Sequence, residues 1–374
     1  MPLDEHDLRQ LRRALELAHT AIGRSDPNPR VGCVLANAQG HAVGEGATQR
    51  AGEAHAEVMA LRAAQAAGAD TTGGTAWVSL EPCSHHGRTP PCCDALITAR
   101  LARVVVAAID PNPLVHGGGV EKLRAAGIRV EIAQGALTDE ARELNIGFVS
   151  RMRRQRPWVR LKVASSLDGR TALSDGRSQW ITGMEARTDG HAWRRRASAV
   201  LTGSGTALTD NPRLDVRLVA TDMQPLRVLI DSQLRVPATS QLFAAPGQAL
   251  VYCARVSAAI DALRQRGVEV IERAAADGHV ELHAVLVDLA RRGVNELHVE
   301  GGPRLNAALI AADLVDEFLL YVAPKLIGPG RPIAALPELP ALDDAPPLRF
   351  VSATPCGNDL RLIVRPLDRE RTLD

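Results

Sequence analysis

The sequence predicts a two-domain α/β protein, and three observations lead to that fold class. Its 374 residues exceed the usual length of one domain. Short apolar segments typical of strands alternate with longer segments typical of helices in both halves of the chain. A basic segment at 151–156, followed by Pro157, interrupts this alternation. We therefore place a domain boundary there and predict domains at 1–150 and 151–374.

The first predicted element is an amphipathic helix, because apolar residues recur at helical spacing at Leu8, Leu11, Leu15, Ala18 and Ile22. Two strands, at 31–36 and 41–45, flank turn residues. A segment rich in helix formers at 54–67 ends before a glycine. The other predicted elements of this half are a strand at 75–80, a polar loop at 81–91, a helix at 92–102, a strand at 103–108, a helix at 120–127 and a strand at 129–132.

The second half repeats the alternation. Apolar segments predict strands at 159–164, 199–202, 227–231, 249–252, 296–300, 318–322 and 360–364. Helical patterns occupy 183–197, 256–266, 280–292 and 303–312. The proline-rich stretch at 337–347 is predicted to be an ordered loop.

Composition restricts the class of function. The formal net charge is +1, which provides no electrostatic attraction to nucleic acid or an anionic membrane. The N-terminus lacks the apolar core of a signal peptide, and no apolar run has the length of a membrane span. Six cysteines are too sparse for a disulfide framework, and three of them cluster at Cys83, Cys92 and Cys93. We expect a soluble cytoplasmic protein in which this cluster binds a metal or takes part in catalysis.

The strongest motif combines His55 and Glu57 with Cys83 and Cys92. One imidazole and two thiolates suit zinc, and a catalytic site keeps a fourth position for water. A carboxylate beside that water can carry its proton to a leaving amine, as in zinc deaminases. Residues two apart in a regular helix diverge by about 200°, so His55 and Glu57 converge only at a helix start. Cys92 follows a proline at another predicted helix start, where the helix dipole favours a thiolate.

Alternatives remain open from the residues alone. Cys93 competes with Cys92 as a ligand, and eight residues separate Cys83 from Cys92, instead of the two of the common deaminase signature. The zinc would be structural if Cys93 or His86 completed a four-ligand site, but Glu57 would then have no task. A nucleic-acid base deaminase with a non-enzymatic second domain is disfavoured by the near-neutral charge and the 3% aromatic content.

Several long motifs resemble one family. Residues 81–92 (EPCSHHGRTPPC) resemble the signature of the bifunctional riboflavin-biosynthesis deaminase/reductases. The segments at 26–32, 110–113, 162–171 and 178–182 are similar to the same family, so the resemblance spans nearly the whole chain. It implies a cytidine-deaminase-like layered domain followed by a dihydrofolate-reductase-like α/β domain. It also implies deamination of 2,5-diamino-6-(5-phosphoribosylamino)pyrimidin-4-one, then reduction of the ribosyl group to ribityl by NADPH.

For the first domain, the resemblance implies one zinc ion per chain on His55, Cys83 and Cys92, with Glu57 as the proton shuttle. The residues implied to contact the substrate are Asn28, His85 and Arg88. A guanidinium suits the substrate phosphate because it binds phosphate with two hydrogen bonds. Met59 and Thr48 depart from the histidines that many relatives carry at these positions, and neither is a metal ligand in the family pattern.

The second half carries weaker motifs. Its GSGTAL segment at 203–208 lacks the third glycine of the dinucleotide-binding fingerprint. Glu300-Gly301-Gly302-Pro303 precedes a predicted helix and offers a phosphate site, although both segments can also be ordinary tight turns. The resemblance implies NADP contacts at Ala164, Trp180, Thr206, Asp210, Ser232, Gly302, Pro303, Arg304, Leu305, Asn306, Ala307 and Ala308. It implies substrate contacts at Lys162, Ser178, Arg194, Leu214, Arg217 and Glu300.

Structural roles compete with these assignments. Trp180 can belong to the core, Asp210 can cap a helix or turn, and Arg194 can lie on a solvated helix face. No residue of this half identifies itself as the acid that completes the reduction. We expect a small phosphoribosylaminopyrimidine as partner, no nucleic-acid or membrane partner, and a homo-oligomeric assembly.

Overall fold

The structure, a computed structural model, describes residues 3–87, 90–367 and 369. Two compact units divide the chain, Met1–Arg154 and Gln155–Asp374. The assignment of separate functions to 1–150 and 151–374 stays a prediction. Within the described residues, no helix is both long and apolar enough to cross a membrane.

The helices of the first unit begin with α1, whose N-cap Asp4 accepts a hydrogen bond from the Asp7 backbone N–H. In order they are α1 (Glu5–His19), α2 (Ala56–Ala66), α3 (Cys92–Thr98), α4 (Gly118–Ala125), α5 (Ala136–Leu144) and α6 (Ile146–Arg154). The predicted opening helix is confirmed, but Ile22 lies in the turns beyond its end. Helices α5 and α6 were not predicted, and the basic residues Arg151, Arg153 and Arg154 lie in the last turn of α6.

A mixed sheet forms the centre of the first unit. Its strands are β1 (Gly32–Ala36), β2 (Ala42–Ala47), β3 (Thr75–Val78), β4 (Arg103–Val106) and β5 (Arg129–Ile132). Among the described residues the strand order is β2-β1-β3-β4-β5, antiparallel on either side of β1 and parallel from β3 onward. All strands and helices predicted for this half are present, with ends shifted by a few residues.

Close packing fixes the start of α2 against β2. A Cβ atom added at Gly46 would lie 2.4 Å from the Ala56 carbonyl oxygen, so only glycine allows this approach. The N-terminus of α2 is thereby held at one place on the sheet, and His55 with it. The underlying core consists mainly of aliphatic side chains such as Leu11, Val34 and Val105.

The second unit contains a larger sheet covered by helices. The helices are α7 (Met184–Arg196), α8 (Ser204–Asp210), α9 (Gln241–Ala244), α10 (Ala259–Arg264), α11 (Leu282–Arg291) and α12 (Pro303–Ala311). The strands are β6 (Trp158–Ser166), β7 (Arg170–Leu173), β8 (Ala199–Gly203), β9 (Leu226–Ile230), β10 (Ala249–Cys253), β11 (Glu269–Glu272), β12 (Glu296–Val299), β13 (Glu317–Ala323), β14 (Gly330–Pro332), β15 (Leu348–Cys356) and β16 (Asp359–Pro366).

In the described part of this unit, the main sheet has the order β11-β10-β9-β8-β12-β6-β13-β16-β15. Its strands are parallel from β11 to β13, and β16 and β15 are antiparallel. Every predicted strand and helix is confirmed, whereas β7, α8, α9, β11, β14 and β15 were not predicted. A 3₁₀ helix, Leu342–Asp344, lies within the predicted proline-rich loop. Because ligands bind at the carboxyl edge of such a sheet, the loops after β8, β9 and β12 are where a site is expected.

A buried ion network ties β6 to its neighbours. Arg160 is buried and pairs with Glu296 of β12, with a nitrogen-to-oxygen distance of 2.7 Å, and with Glu317 of β13. Arg196 and Arg365 add further contacts to the same two carboxylates. These charges are compensated inside the sheet, so removing Arg160 takes one of two arginine partners from each buried glutamate in a low-dielectric interior.

Candidate functional site

Three potential metal ligands of the first unit meet between the starts of two helices and the loop that follows β3. His55 is the N-cap of α2 and has extended backbone angles, φ −77° and ψ 169°. Cys83 lies in the loop that follows β3, and Cys92 is the first residue of α3. The predicted placement at a helix start is observed for His55 and Cys92, whereas Cys83 lies within the loop, beyond the end of β3 at Val78. The extended backbone of His55 lets its ring and the Glu57 side chain of the first helical turn point to one place.

The spacing of the ligand atoms fits zinc. The His55 Nδ1 atom is 3.3 Å from Cys92 Sγ and 3.7 Å from Cys83 Sγ. All ligand atoms of the three residues lie within 4.8 Å of one another. Tetrahedral zinc with ordinary bond lengths sets nitrogen and sulfur ligands about 3.6 Å apart. The three side chains therefore match one tetrahedral ion with a fourth position left over.

The electrostatics of the cluster favour a thiolate. A hydrogen bond from the Cys92 thiol lowers the pKa of Cys83, and His55 lowers it further. The backbone N–H of Cys92, at the start of α3, also points at Cys83 Sγ at 3.3 Å. The hydrogen bond to Cys83 in turn raises the pKa of His55. These are the conditions under which a cysteine becomes a metal ligand at neutral pH.

Glu57 lies beside the three ligands and is 3% exposed. Burial raises the pKa of its carboxyl to about 7, and the negative charge of Cys83 acts in the same direction. Within the described residues, no lysine or arginine forms an ion pair with it. The carboxyl is thus close to the cluster, shielded from bulk water and free to exchange a proton.

Cys93, the competing ligand, does not join the cluster. Its sulfur lies 3.3 Å from the Pro82 carbonyl oxygen and 3.6 Å from that of Gly119, so it fixes the loop instead. His86 is exposed on the same loop. Among the described residues, neither Cys93 nor His86 therefore joins the three ligands as a fourth. This disfavours a closed structural zinc site, which needs four protein ligands.

Glu81 has a structural task that was not predicted. Its buried carboxylate accepts hydrogen bonds of 2.9–3.2 Å from the backbone N–H groups of Asp110, Gly117, Gly119 and Val120. These groups lie around the N-terminus of α4, where a negative charge is favourable. Glu81 therefore anchors the loop that carries Cys83. Its position directly after a predicted strand was the feature of the sequence that could have indicated this structural role.

The predicted substrate contacts of this unit differ in placement. Asn28 Nδ2 lies 3.5 Å from His55 Nε2, which brings it to the ligand cluster. His85 is half-buried in the loop, and its Nδ1 atom has no hydrogen-bond partner among the described residues. Arg88 lies outside the described residues. Thr48 is buried, with its hydroxyl 3.4 Å from the Val31 carbonyl oxygen, and Met59 lines an open groove together with His55.

In the second unit, a charged cluster connects α7 to the end of β12. Arg194 binds the Glu300 carboxylate with two hydrogen bonds of 2.5 and 2.9 Å and donates a third, of 2.9 Å, to the Asp215 carbonyl oxygen. Both side chains are largely buried. Arg194 therefore does not lie on a solvated face, and it is held in one orientation.

Lys162 of β6 is part of the same electrostatic cluster. Burial lowers the pKa of its amine, the positive Arg194 acts in the same direction, and the negative Glu300 opposes both. Glu300 responds in the opposite sense: burial raises its pKa, but Arg194 and Lys162 together lower it well below its usual range. The site thus holds a fixed carboxylate between two cations.

Arg217 joins this cluster through two residues that were not predicted. Its guanidinium bonds the Asp215 carboxylate at 2.9 Å, and its backbone N–H donates to His191 Nδ1 at 3.1 Å. His191 lies three residues before Arg194 on α7, a spacing that places both on one helix face. The three-residue spacing between His191 and Arg194 was the feature of the sequence that could have identified His191 as part of this cluster.

Two glycine loops, the name used here for residues 203–206, which run into the first turn of α8, and for residues 301–302, lie side by side at the carboxyl edge of the sheet. A Cβ atom at Gly302 would be 3.2 Å from Thr206 Oγ1. One at Gly301 would be 2.6 Å from Asn306 Oδ1, so any larger residue there would force the Asn306 side chain to move. Asn306 is 2% exposed and its Oδ1 atom has no hydrogen-bond partner in the described residues. A backbone this close, at the start of the nine-residue α12, suits a phosphate group.

The other predicted residues of the second unit are more dispersed. Trp180 is 61% exposed in the loop before α7, so it is not a core residue, and the Arg187 guanidinium lies 4.5 Å from its ring centroid. Asp210 is the last residue of α8 and Leu214 is buried shortly after it. Ala164 lies on β6, Ser178 lies in the loop after β7, and Ser232 follows β9. The run from Gly302 to Ala308 spans the N-cap and first turns of α12.

Comparisons with known proteins cover almost the whole chain. The family model of the cytidine and deoxycytidylate deaminase zinc-binding region matches residues 4–108, and that of the RibD C-terminal domain matches residues 157–362. The riboflavin biosynthesis protein RibD of Escherichia coli (strain K12) is 44% identical over 363 residues, which cover 94% of this chain and 96% of the relative. RibD of Aquifex aeolicus (strain VF5) is 39% identical, covering 95% and 97%.

Solved structures agree in fold. A form of Acinetobacter baumannii RibD matches with a TM-score of 0.86 and 38% identity, covering 97% of this chain and 99% of that one. A Thermotoga maritima protein described as a diaminohydroxyphosphoribosylaminopyrimidine deaminase/5-amino-6-(5-phosphoribosylamino)uracil reductase matches with a TM-score of 0.85 and 33% identity, covering 96% and 99%. The predicted pair of domain folds is thereby confirmed.

Proposed function

The chain belongs to the family of bifunctional riboflavin-biosynthesis deaminase/reductases, and from this premise we propose which of its residues carry the two reactions. It is a zinc-dependent hydrolase in its first half and an NADPH-dependent oxidoreductase in its second. The substrate is 2,5-diamino-6-(5-phosphoribosylamino)pyrimidin-4(3H)-one, and the final product is 5-amino-6-(5-phosphoribitylamino)uracil. The name of the Thermotoga maritima relative supports this choice.

The observation that carries the deaminase assignment is the meeting of His55, Cys83 and Cys92 with a buried carboxyl beside them. These three residues would hold the zinc ion, which when bound would supply Lewis-acid activation of water. Glu57 removes a proton from the attacking water and delivers it to the 2-amino group as the carbon–nitrogen bond breaks. The ring carbon keeps the oxygen, and ammonia leaves.

Three side chains orient the substrate in this half. Asn28, held near His55, presents an amide to the polar edge of the pyrimidine. His85 has a ring nitrogen without a partner in the described residues and is suited to a polar substrate group. Arg88 binds the phosphate, because a guanidinium recognises it through two parallel hydrogen bonds.

The reductase half uses the sheet edge of the second unit. NADPH, which supplies the hydride, is held by the two glycine loops and α12, and the fit rests on the closeness of Gly301 to the unpartnered Asn306 Oδ1. Ala164, Trp180, Thr206, Asp210 and Ser232 complete the proposed cofactor set. The substrate is bound by Lys162, Ser178, Arg194, Leu214, Arg217 and Glu300. Lys162 and Arg217 offer positive charge to a phosphorylated substrate, and Arg194 keeps Glu300 ionised and in place.

The test is a two-step assay on purified, zinc-loaded protein. Ammonia release from the diaminopyrimidinone phosphate reports the first step. Loss of NADPH absorbance, with a ribityl product identified by mass spectrometry, reports the second. Cytidine and a single-stranded oligonucleotide serve as comparison substrates. Ammonia from either of these and none from the pyrimidinone phosphate would contradict the function.

A homo-oligomer in the cytoplasm completes the proposal. The nine-residue β15 ends the main sheet, and Phe350 on it is 71% exposed. A long edge strand with an exposed apolar face is a common interface between copies. None of the six cysteines forms a disulfide, as expected in a reducing compartment. Light scattering of the wild type and of Phe350→Lys tests the assembly, and a wild-type monomer at assay concentrations would contradict it.

A further inference from the structure

An exposed arginine borders the sheet edge of the second unit, away from the charged cluster. Strands β9, β8, β12 and β6 are successive neighbours in the main sheet. The loop after β9 carries Arg235, the glycine loops follow β8 and β12, and Lys162 is on β6. The features along this edge therefore occur in the order arginine, glycine loops, charged cluster.

This order fixes the direction of an extended dinucleotide. The reacting nicotinamide must meet the substrate near Lys162 and Glu300, because these half-buried, oppositely charged groups of the proposed substrate site lie close together there. The pyrophosphate belongs at the glycine loops, where backbone approaches closely. The adenosine half then extends the opposite way along the carboxyl edge, over β9.

The loop after β9 presents Arg235 in a fixed manner. The Asp231 carboxylate accepts the Val236 backbone N–H at 2.8 Å and closes the loop from within. Arg235 itself is exposed, and its Nη2 atom lies 3.3 Å from the Ser204 hydroxyl at the start of α8. No carboxylate pairs with this guanidinium in the described residues, so most of its donors remain available.

We propose that Arg235 binds the 2′-phosphate of the NADPH adenosine ribose, and that this contact selects NADPH over NADH. The inference rests on the proposed reductase function. A guanidinium binds a phosphate with two charge-assisted hydrogen bonds, and the hydroxyls of Ser204 and Ser232 are neutral groups able to complete the site. The Ser232 carbonyl oxygen accepts the backbone N–H groups of Ala254 and Arg255, both at 3.1 Å, which holds that residue against the next loop.

Other cations at this edge fit the role less well. Arg304 lies in the first turn of α12 beside the glycine loops, where NADH and NADPH are identical. Arg213 is paired with Asp215 at 2.7 Å. Arg255 follows β10, one strand farther from the glycine loops, and makes a suitable matched control because it is exposed as well.

The experiment measures dissociation constants of NADPH and NADH for the full-length protein by calorimetry. For Arg235→Gln we expect the NADPH constant to rise about tenfold to a hundredfold, while the NADH constant stays within about twofold. Arg255→Gln should leave both constants near those of the wild type. Unchanged thermal unfolding of the variants without nucleotide shows that the fold is intact.

Three outcomes would overturn the inference. Arg235→Gln could weaken both nucleotides equally, Arg255→Gln could remove the preference instead, or the wild type could bind both nucleotides with equal affinity. Each of these leaves the reductase assignment standing. A wild-type protein that binds neither nucleotide would contradict the proposed reductase function itself, and the inference with it.

Discussion

Replacing Glu57 with glutamine should abolish deamination and spare reduction. Glutamine has the same shape, so the packing of this 3% exposed side chain is kept, but it cannot carry a proton. Glu81 cannot take over, because its carboxylate already accepts four backbone N–H groups. The full contribution of a positioned acid–base group is therefore lost, typically 10²–10⁴-fold in rate, or about 2.7–5.5 kcal/mol in the activation barrier.

The assay measures each step separately in the same preparation. Ammonia release should fall by that factor, while NADPH oxidation with supplied deaminated intermediate and the zinc content should match the wild type. Asp110→Asn is the matched control, since Asp110 is another buried carboxyl whose pKa burial raises, with Glu81 and Cys83 acting in the same direction. We expect it to lose less deamination than Glu57→Gln. If Glu57→Gln eliminated both activities in a folded, zinc-loaded protein, the assignment of two independent sites would be wrong.

Three further predictions concern metal, pH and stability. The Cys83→Ala, Cys92→Ala double variant should lose its zinc, and full metal content by elemental analysis would exclude these ligands. Burial and the neighbouring cations lower the pKa of His191 from 6.5 to about 4 in the folded protein. Between about pH 4 and 6.5, the His191 imidazole therefore binds a proton more tightly in the unfolded chain than in the folded protein. The free energy of unfolding should therefore fall as the pH drops from about 6.5 to 4, and His191→Gln should reduce that slope in urea titrations. Arg160→Met removes the cation that the buried Glu296 and Glu317 share, leaving Arg196 on the first and Arg365 on the second, and should cost up to about 3–5 kcal/mol in urea unfolding, with a cost below 1 kcal/mol contradicting the network.

The first-half fold was largely predictable because its elements are marked locally. Leucines at helical spacing give α1, and the alternation of short apolar segments with helix formers gives the sheet and its covering helices. The helices α5 and α6 were missed because no turn signal separates them from the basic segment, which resembles a linker. The basic residues end α6, where positive charge is favourable at a helix C-terminus.

In the second half, the missed strands are those with few buried residues. β15 is mostly exposed along its length and β14 has only three residues, so neither shows the regular alternation of hydrophobic and polar residues that marks a strand in a sequence. β15 forms a hairpin with the adjacent β16, whereas β14 pairs with β7, which lies far away in the sequence. A strand such as β14 is specified by tertiary contacts, which a single sequence does not display.

The two candidate sites differed in predictability for a physical reason. Zinc needs particular ligand types, so His55, Cys83 and Cys92 stand out in the sequence by residue type and spacing alone. A dinucleotide site built on backbone and glycine loops needs few special side chains, and its charged residues resemble ordinary surface residues. Arg194 illustrates this, because only its contacts with Glu300 and Asp215 distinguish it from a solvated helix residue.

A comparison of Glu57 with Glu300 shows how surroundings assign different tasks to the same side chain. Both are buried, which alone raises the pKa of a carboxyl. At Glu300, Arg194 and Lys162 outweigh burial, so the carboxylate is a permanent negative charge that can orient cations and hydroxyls but cannot exchange a proton near neutrality. Glu57 has no such cation paired to it in the described residues. The first unit therefore contains the group suited to moving a proton, and the second unit contains the group suited to holding a substrate still.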